Sequence, residues 1–165
     1  MTKQIEGYMG QEKEYIGTFV LGSTTESFDL EKPIDNTFPI NHITNEILLL
    51  TAKSFLGFQQ QVPPIYSAVK INGKRAYEFA REGLEAEINS REIEIKEFEL
   101  TQINLPFVDF RIICSKGTYI RSLSRDFGLA LKSGAHLTKL IRTRIGDFSL
   151  TDAITPQEFS GNIYI

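Results

Sequence analysis

Residues 108–128 read VDFRIICSKGTYIRSLSRDFG, and the fold turns on how this stretch divides. Val108, Phe110, Ile112 and Cys114 alternate with Asp109 and Arg111, the period of a strand with one core face. After Ser115-Lys116-Gly117 the apolar residues Ile120, Leu123, Phe127 and Leu131 recur at near-helical spacing, which sets Arg121 and Arg125 on the opposite face, four residues apart. A strand therefore runs into a helix, and Tyr119, Arg121 and Arg125 gather at the junction. Anions are favoured at a helix start, so a guanidinium there makes better sense with an anionic partner. An aromatic ring beside it can stack on a base. From this stretch alone an ordinary alternative stays open, in which Tyr119 packs under the helix and Arg121 pairs with Asp126 or a surface glutamate.

Outward from this junction the pattern is α+β, without repeats or low-complexity tracts. Tyr15–Leu21 reads as a strand buried on both sides and ended by Gly22. Thr44 offers an N-cap to a helix over Asn45–Phe55 closed by Gly57, and QQQVPP (59–64) reads as an extended linker. Ile93 and Ile95 begin a strand whose phase slips to Phe98 and Leu100, with Glu97 marking a bulge. In Tyr66–Gly83 the spacing predicts an extended arm, a tight turn at Asn72-Gly73 and a short helix over Lys74–Arg81. Thr155-Pro-Gln-Glu158 has the form of a capping box for a last short helix.

The 165 residues are 41% hydrophobic and 24% charged, enough for a real core. The longest aliphatic block is Ile47–Leu50, and MTKQIEGYMG lacks the apolar centre of a signal peptide, so a cytoplasmic protein is expected and no membrane partner. One cysteine, Cys114, excludes an internal disulfide, and with only His42 and His136 beside it no zinc-type cluster can be assembled.

Net charge is −3, yet the charges are segregated. Lys116, Arg121, Arg125, Lys132, Lys139, Arg142 and Arg144 face the single acid Asp126 within residues 116–144. Lys70, Lys74, Arg75 and Arg81 accompany one acid, Glu78, while glutamates concentrate over Glu82–Leu100. Two basic segments on an acidic chain suit a polyanion-binding face, although solvated helix faces would read the same way.

Four motifs in order, KEYIGTFVLG (13–22), YSAVKINGKRAYEFAREG (66–83), CSKGTYIRSLSRDFG (114–128) and GAHLTKLIRTRIG (134–146), resemble the TruB family, the tRNA pseudouridine-55 synthases. The likeness runs from about Thr2 to Phe159. It implies a mixed, mainly antiparallel sheet with flanking helices, and an isomerase that flips a uridine out of the tRNA T-arm stem-loop with no cofactor or metal. By resemblance Tyr15 stacks on the target base and is implicated in proton abstraction. Tyr119 is the second active-site tyrosine, Arg121 pairs with the catalytic aspartate, and Leu140 lines the uracil pocket. The RNA contacts implied are Tyr66, Lys70, Lys74, Arg75, Lys116, Arg125, His136 and Arg142. Residues 1–150 would be a partial catalytic domain, 62–90 its RNA-binding thumb and 151–165 a tail, with no further C-terminal RNA-binding domain.

One element of the family pattern does not occur. The G-x-L-D-P-x-A-x-G motif that carries the catalytic aspartate is absent from the 165 residues, and Asp29 in ESFDLEKP matches a different family segment, where Thr-Asp-Thr has become Thr25-Glu26-Ser27. The expectation is a chain that is inactive alone and has some core surface exposed. A catalytically dead T-arm-binding protein, or a chain that pairs its strands with a second copy, is the alternative.

Overall fold

The computed structural model describes residues 7–71, 73–82 and 88–161. The helical period after Gly117 is realised as α3, and the order of elements around it is β1 (Lys13–Leu21), β2 (Ser23–Thr25), β3 (Ile34–Thr37), α1 (Asn45–Ser54), β4 (Gly57–Gln61), β5 (Lys70–Ile71), β6 (Lys74–Arg75), α2 (Ala76–Arg81), β7 (Arg91–Asn104), β8 (Phe107–Cys114), α3 (Ile120–Ala130), β9 (Ala135–Ile145), β10 (Phe148–Ser149) and α4 (Pro156–Gly161). Six strands form one sheet in the order β10-β9-β1-β8-β7-β4, and each pairing is antiparallel. Two ribbons, β2-β3 and β5-β6, stand apart from it. The α+β, mainly antiparallel expectation is met.

The local predictions divide by the kind of signal behind them. Alternation places Val108, Phe110, Ile112 and Cys114 in the core. The phase slip of β7 is a register shift between Ile95 and Glu97, and a second shift follows between Leu100 and Gln102. Thr44 Oγ1 accepts the Ile47 N–H at 3.3 Å as the predicted cap. The capping box is closed in both directions, Thr155 N–H to Glu158 Oε2 at 2.6 Å and Glu158 N–H to Thr155 Oγ1 at 3.2 Å. Two readings need correction. Residues 59–61 of the supposed linker belong to edge strand β4, where pairing to Arg91, Glu92 and Ile93 outweighs the weak β-propensity of three glutamines. Lys74 and Arg75 close a hairpin before the helix starts at Ala76, and Gly73 supplies its turn at φ +88°; Asn72 and Gly83 lie outside the described residues.

The core is organised around Phe19. Its ring stacks on Phe110 with centroids 4.1 Å apart, and Phe127 of α3 lies 5.6 Å away. Ile120, Leu123, Phe127 and Leu131 are all buried against the same face. Each such side chain contributes about 1.5–3 kcal/mol relative to exposure. The helix lies so close to β9 that a Cβ on Gly128 would stand 2.7 Å from the Gly134 carbonyl carbon and collide with the Ala135 backbone. Lys132, at φ +52°, ends the helix and turns the chain into β9. Elsewhere α1 leaves Leu49 and Leu50 exposed, and β4 leaves Phe58 exposed.

The sheet's other face carries a ladder of charge. Arg111 donates from Nε and Nη2 to Glu14 Oε2 at 3.0 and 2.6 Å, while Thr143 donates to Glu14 Oε1 at 2.7 Å. Glu12 takes Arg144 at 2.8 Å and Lys96 at 2.9 Å. The Thr143 hydroxyl, and after it Arg111, holds the Glu14 carboxyl below its ordinary range against a burial that raises it.

Two outcomes follow. Gly128→Ala should destabilise by about 1–3 kcal/mol, because backbone atoms must separate; an unchanged urea midpoint would contradict the close helix-sheet contact. A depressed Glu14 stabilises above the unfolded carboxylate pKa and ceases to do so as pH falls through its lowered folded value. Glu14→Gln should therefore cost on the order of 1 kcal/mol at neutral pH, and the deficit should shrink in acid. Urea midpoints across a pH series would read it, and a deficit independent of pH would contradict the account.

Candidate active site

The strand-to-helix junction aims Arg121 away from the core and into a cleft. Its Nη1 donates to Asp29 Oδ2 at 3.1 Å and its Nη2 to the Tyr66 carbonyl at 2.7 Å. Side-chain exposures of 22% and 25% for Arg121 and Asp29 leave both half-sheltered, so this pair is screened less than a rim contact. The surface alternative fails for Arg121, because Asp126 is taken by Arg125, Nε to Oδ1 at 2.8 Å.

Asp29 is presented rigidly. Phe28 adopts φ +63°, uncommon for an aromatic residue, and its carbonyl accepts the Leu137 N–H of β9 at 2.9 Å. The Asp29 carbonyl accepts Thr25 Oγ1 at 2.6 Å. Sequence reading missed this carboxylate as the partner of Arg121, since 92 residues separate the two. Leu30 and Glu31 follow, and with Asp29, Arg121, Leu137, Lys139 and Leu140 they border a cavity of about 400 Å³. Leu140 borders the same cavity as Arg121, on a strand that has polar Thr138 and Lys139 at the same cavity wall.

Tyr15 approaches along the same face of the sheet. Register pairs Gly17 with Leu140 and Tyr15 with Arg142, one pleat further along β1 and β9. Burial pushes the Tyr15 hydroxyl above its ordinary pKa, and Arg142 beside it works in the other direction. Tyr119 stands at the N-cap of α3 in extended geometry, with the Arg91 guanidinium 5.4 Å from its ring centre. Its backbone is held by the side chain of Gln61, a second residue that sequence reading passed over as linker. Cys114 is buried, and burial raises its thiol to about 11, which keeps it unreactive.

The arm that leaves β4 passes the same cleft. Lys32 lies 5.2 Å from the Tyr66 ring centre and Arg81 5.2 Å from that of Tyr77, and these residues with Glu31 border a smaller cavity of about 240 Å³. Lys74 and Arg75 are exposed at the tip, while the Lys70 side chain and residues 83–87 lie outside the described parts. Lys116 lines a separate cavity of about 660 Å³ with Arg91 and Met9. Two expected RNA contacts are differently employed. His136 is 3% exposed, its Nδ1 meeting the Ser23 hydroxyl at 3.3 Å and the Ser23 carbonyl at 3.2 Å, which leaves no ring face for a phosphate. Arg125 binds Asp126 and the Val62 carbonyl and lies over Phe28 at 5.0 Å, so its guanidinium is spent on packing. Among the described residues no group of three or more His, Cys, Asp or Glu could hold a metal ion, and no helix is long and apolar enough to cross a membrane.

Known proteins resemble this chain along nearly its whole length. Residues 1–120 match the TruB family pseudouridylate synthase N-terminal domain, and residues 121–165 match the tRNA pseudouridylate synthase B C-terminal domain. The tRNA pseudouridine synthase B of Phocaeicola vulgatus is 52% identical over 158 residues, covering 96% of this chain and 67% of the relative. That of Flavobacterium johnsoniae is 56% identical over 153 residues, covering 93% and 67%. A solved Cbf5-Nop10-Gar1 complex superimposes with a TM-score of 0.70 at 27% identity, over 99% of this chain and 39% of that one. The chain thus spans about two thirds of its curated relatives and under half of the solved structure. With residues 1–120 and 121–165 matching two family domains and relatives above half identity, this chain belongs to the TruB family of tRNA pseudouridine synthases.

Proposed function

We propose that these residues form the base pocket and RNA-holding surface of an enzyme that isomerises uridine 55 in the T-arm of tRNA. The observation that carries this reading is the cavity of about 400 Å³ bordered by Arg121, Asp29 and Leu140, with Tyr15 further along the same sheet face. A volume of this order accepts a single flipped nucleoside. The uracil enters with one face against an apolar wall, and Arg121 supplies a fixed positive charge where the base and its phosphate arrive.

In the isomerisation the bond from N1 of uracil to C1′ of the ribose breaks, the base turns within the pocket, and C5 bonds to C1′. The C5 proton leaves and N1 takes one up, so nothing is oxidised and no co-reactant is consumed. Tyr15 is suited to the base-facing role: its phenol stays protonated at neutral pH because burial disfavours the phenolate. Asp29 acts in this reading as the group that holds the Arg121 fork, not as the attacking carboxylate. The family's aspartate motif is absent from the 165 residues, so they hold RNA without turning it over. Lys74 and Arg75 at the arm's tip, with Lys70 before them, meet phosphates of the loop.

Replacing Lys74 and Arg75 together by Ala should weaken T-arm RNA binding and reduce the slope of log K against log salt by about one unit for each lost phosphate contact. Filter binding between 50 and 200 mM salt reads both effects, and an unaltered slope would remove the arm from the interface. In the protein joined to an aspartate-bearing segment, Arg121→Ala and Tyr15→Ala, the second removing the ring that faces the base, should each lower turnover by roughly a hundredfold or more. Full turnover in either would contradict the assigned roles.

A further inference from the structure

Strand β4 ends in a side chain that the proposed chemistry does not use. Gln61 is 2% exposed and clamps a peptide 58 residues away on both sides. The Tyr119 N–H donates to Gln61 Oε1 at 2.8 Å, and Gln61 Nε2 donates to the Tyr119 carbonyl at 3.2 Å. Tyr119 is the N-cap of α3, and its own side chain makes no capping bond. Gln61 Oε1 therefore does from another strand what the N3 Glu or Gln of a capping box does locally, accepting the N–H of the N-cap residue. The same Tyr119 carbonyl accepts the Leu123 N–H at 3.0 Å, so the grip is on the first closed turn of the helix.

The clamp is the first of a row of contacts. The Val62 carbonyl accepts Ser122 Oγ at 2.8 Å and Arg125 Nη2 at 3.2 Å. The Tyr66 carbonyl accepts Arg121 Nη2 at 2.7 Å. Gln61, Val62 and Tyr66 are the residues through which the chain leaves the sheet and enters the arm. Base pocket and arm thus share one mechanical root.

We propose that Gln61 is the positioning residue for the start of α3, fixing the Tyr119 backbone and through that turn holding Arg121 at the base pocket, and tying the root of the arm to both; this rests on the reading of that pocket as a uracil site. A primary amide of this length meets the requirement because it offers one donor and one acceptor from a single plane. Asn is one methylene short. Glu keeps the acceptor for the Tyr119 N–H but sets a carboxylate against the Tyr119 carbonyl. Leu preserves bulk and satisfies neither group, leaving a buried N–H unpaired.

The test compares this chain, Gln61→Leu and Gln61→Glu in binding T-arm stem-loops that carry either uridine or an abasic ribose at the target position. The parent should prefer the uridine loop by about tenfold or more, as a built pocket does when a hydrogen-bonding group is removed from its ligand. Gln61→Leu should bring that preference to within about twofold while affinity for the abasic loop is kept, and Gln61→Glu should fall between. Leu48→Ala, which opens the core under α1, serves as the control: it lowers the thermal midpoint but should keep the preference. Undiminished preference in both Gln61 variants, or its loss in Leu48→Ala as well, would overturn the proposal.

A parent with no preference would instead refute the pocket reading, and amide hydrogen exchange then decides the positioning role. Exchange of residues 119–123 about tenfold faster in Gln61→Leu or Gln61→Glu, with residues 108–113 of β8 unchanged, supports the clamp. Uniform or unaltered exchange contradicts it.

Discussion

The docking of α3 onto the sheet is the constraint on which the rest of the molecule depends. Gly128 lets the helix backbone approach the start of β9 to a distance that no side chain would permit. Phe127, one residue earlier, completes the aromatic cluster around Phe19 and Phe110. With the C-terminal half of the helix pinned in this way, its N-terminus can point in one direction only. Tyr119 and Arg121 are carried at that end, held by the Gln61 side chain and the Tyr66 carbonyl, with the Val62 carbonyl taking Ser122 beside them. Packing in the core thus becomes geometry at the cleft.

Charge is handled differently on the two faces of the same sheet. On the face away from α3, Glu12, Glu14, Arg111, Lys96 and Arg144 neutralise one another in a ladder across β7, β8, β1 and β9. On the cleft side Arg121 is paired with Asp29, and the arm raises Lys74 and Arg75 into solvent. Part of the acid is thus spent on the ladder, while Asp29 and Glu31 border the cleft beside Arg121. The basic stretch 116–144 is thereby divided between the two faces, Arg144 going to the ladder and Arg121 to the cleft, each against an acid.

Sequence made the local structure legible wherever a short-range signal decides it. Period-2 alternation in β8, the slip in β7, the Thr44 cap and the Thr155–Glu158 box all depend on residues within a few positions of one another. It failed where the deciding partner is distant. Gln61 reads as part of a polar linker until β7 pairs with it and Tyr119 arrives from α3. Asp29 reads as a loop residue until Phe28 takes a left-handed conformation and turns the carboxylate toward Arg121. His136 carried the composition of an RNA contact, yet its position at the start of β9 buries it against Ser23. Arg121 and the arm were singled out by spacing and charge and Leu140 by likeness to a family, and the structure sets Arg121 and Leu140 at one cavity.

The central claim is that these residues hold the uridine and that the attacking carboxylate is not among them. Tritium release from T-arm RNA labelled at uracil C5, measured with the 165-residue chain at RNA concentrations where binding is saturated, tests this most directly. The account predicts a bound complex that releases no tritium. Release at a rate abolished by Asp29→Asn would contradict it, since Asp29 would then be the carboxylate that breaks the glycosidic bond.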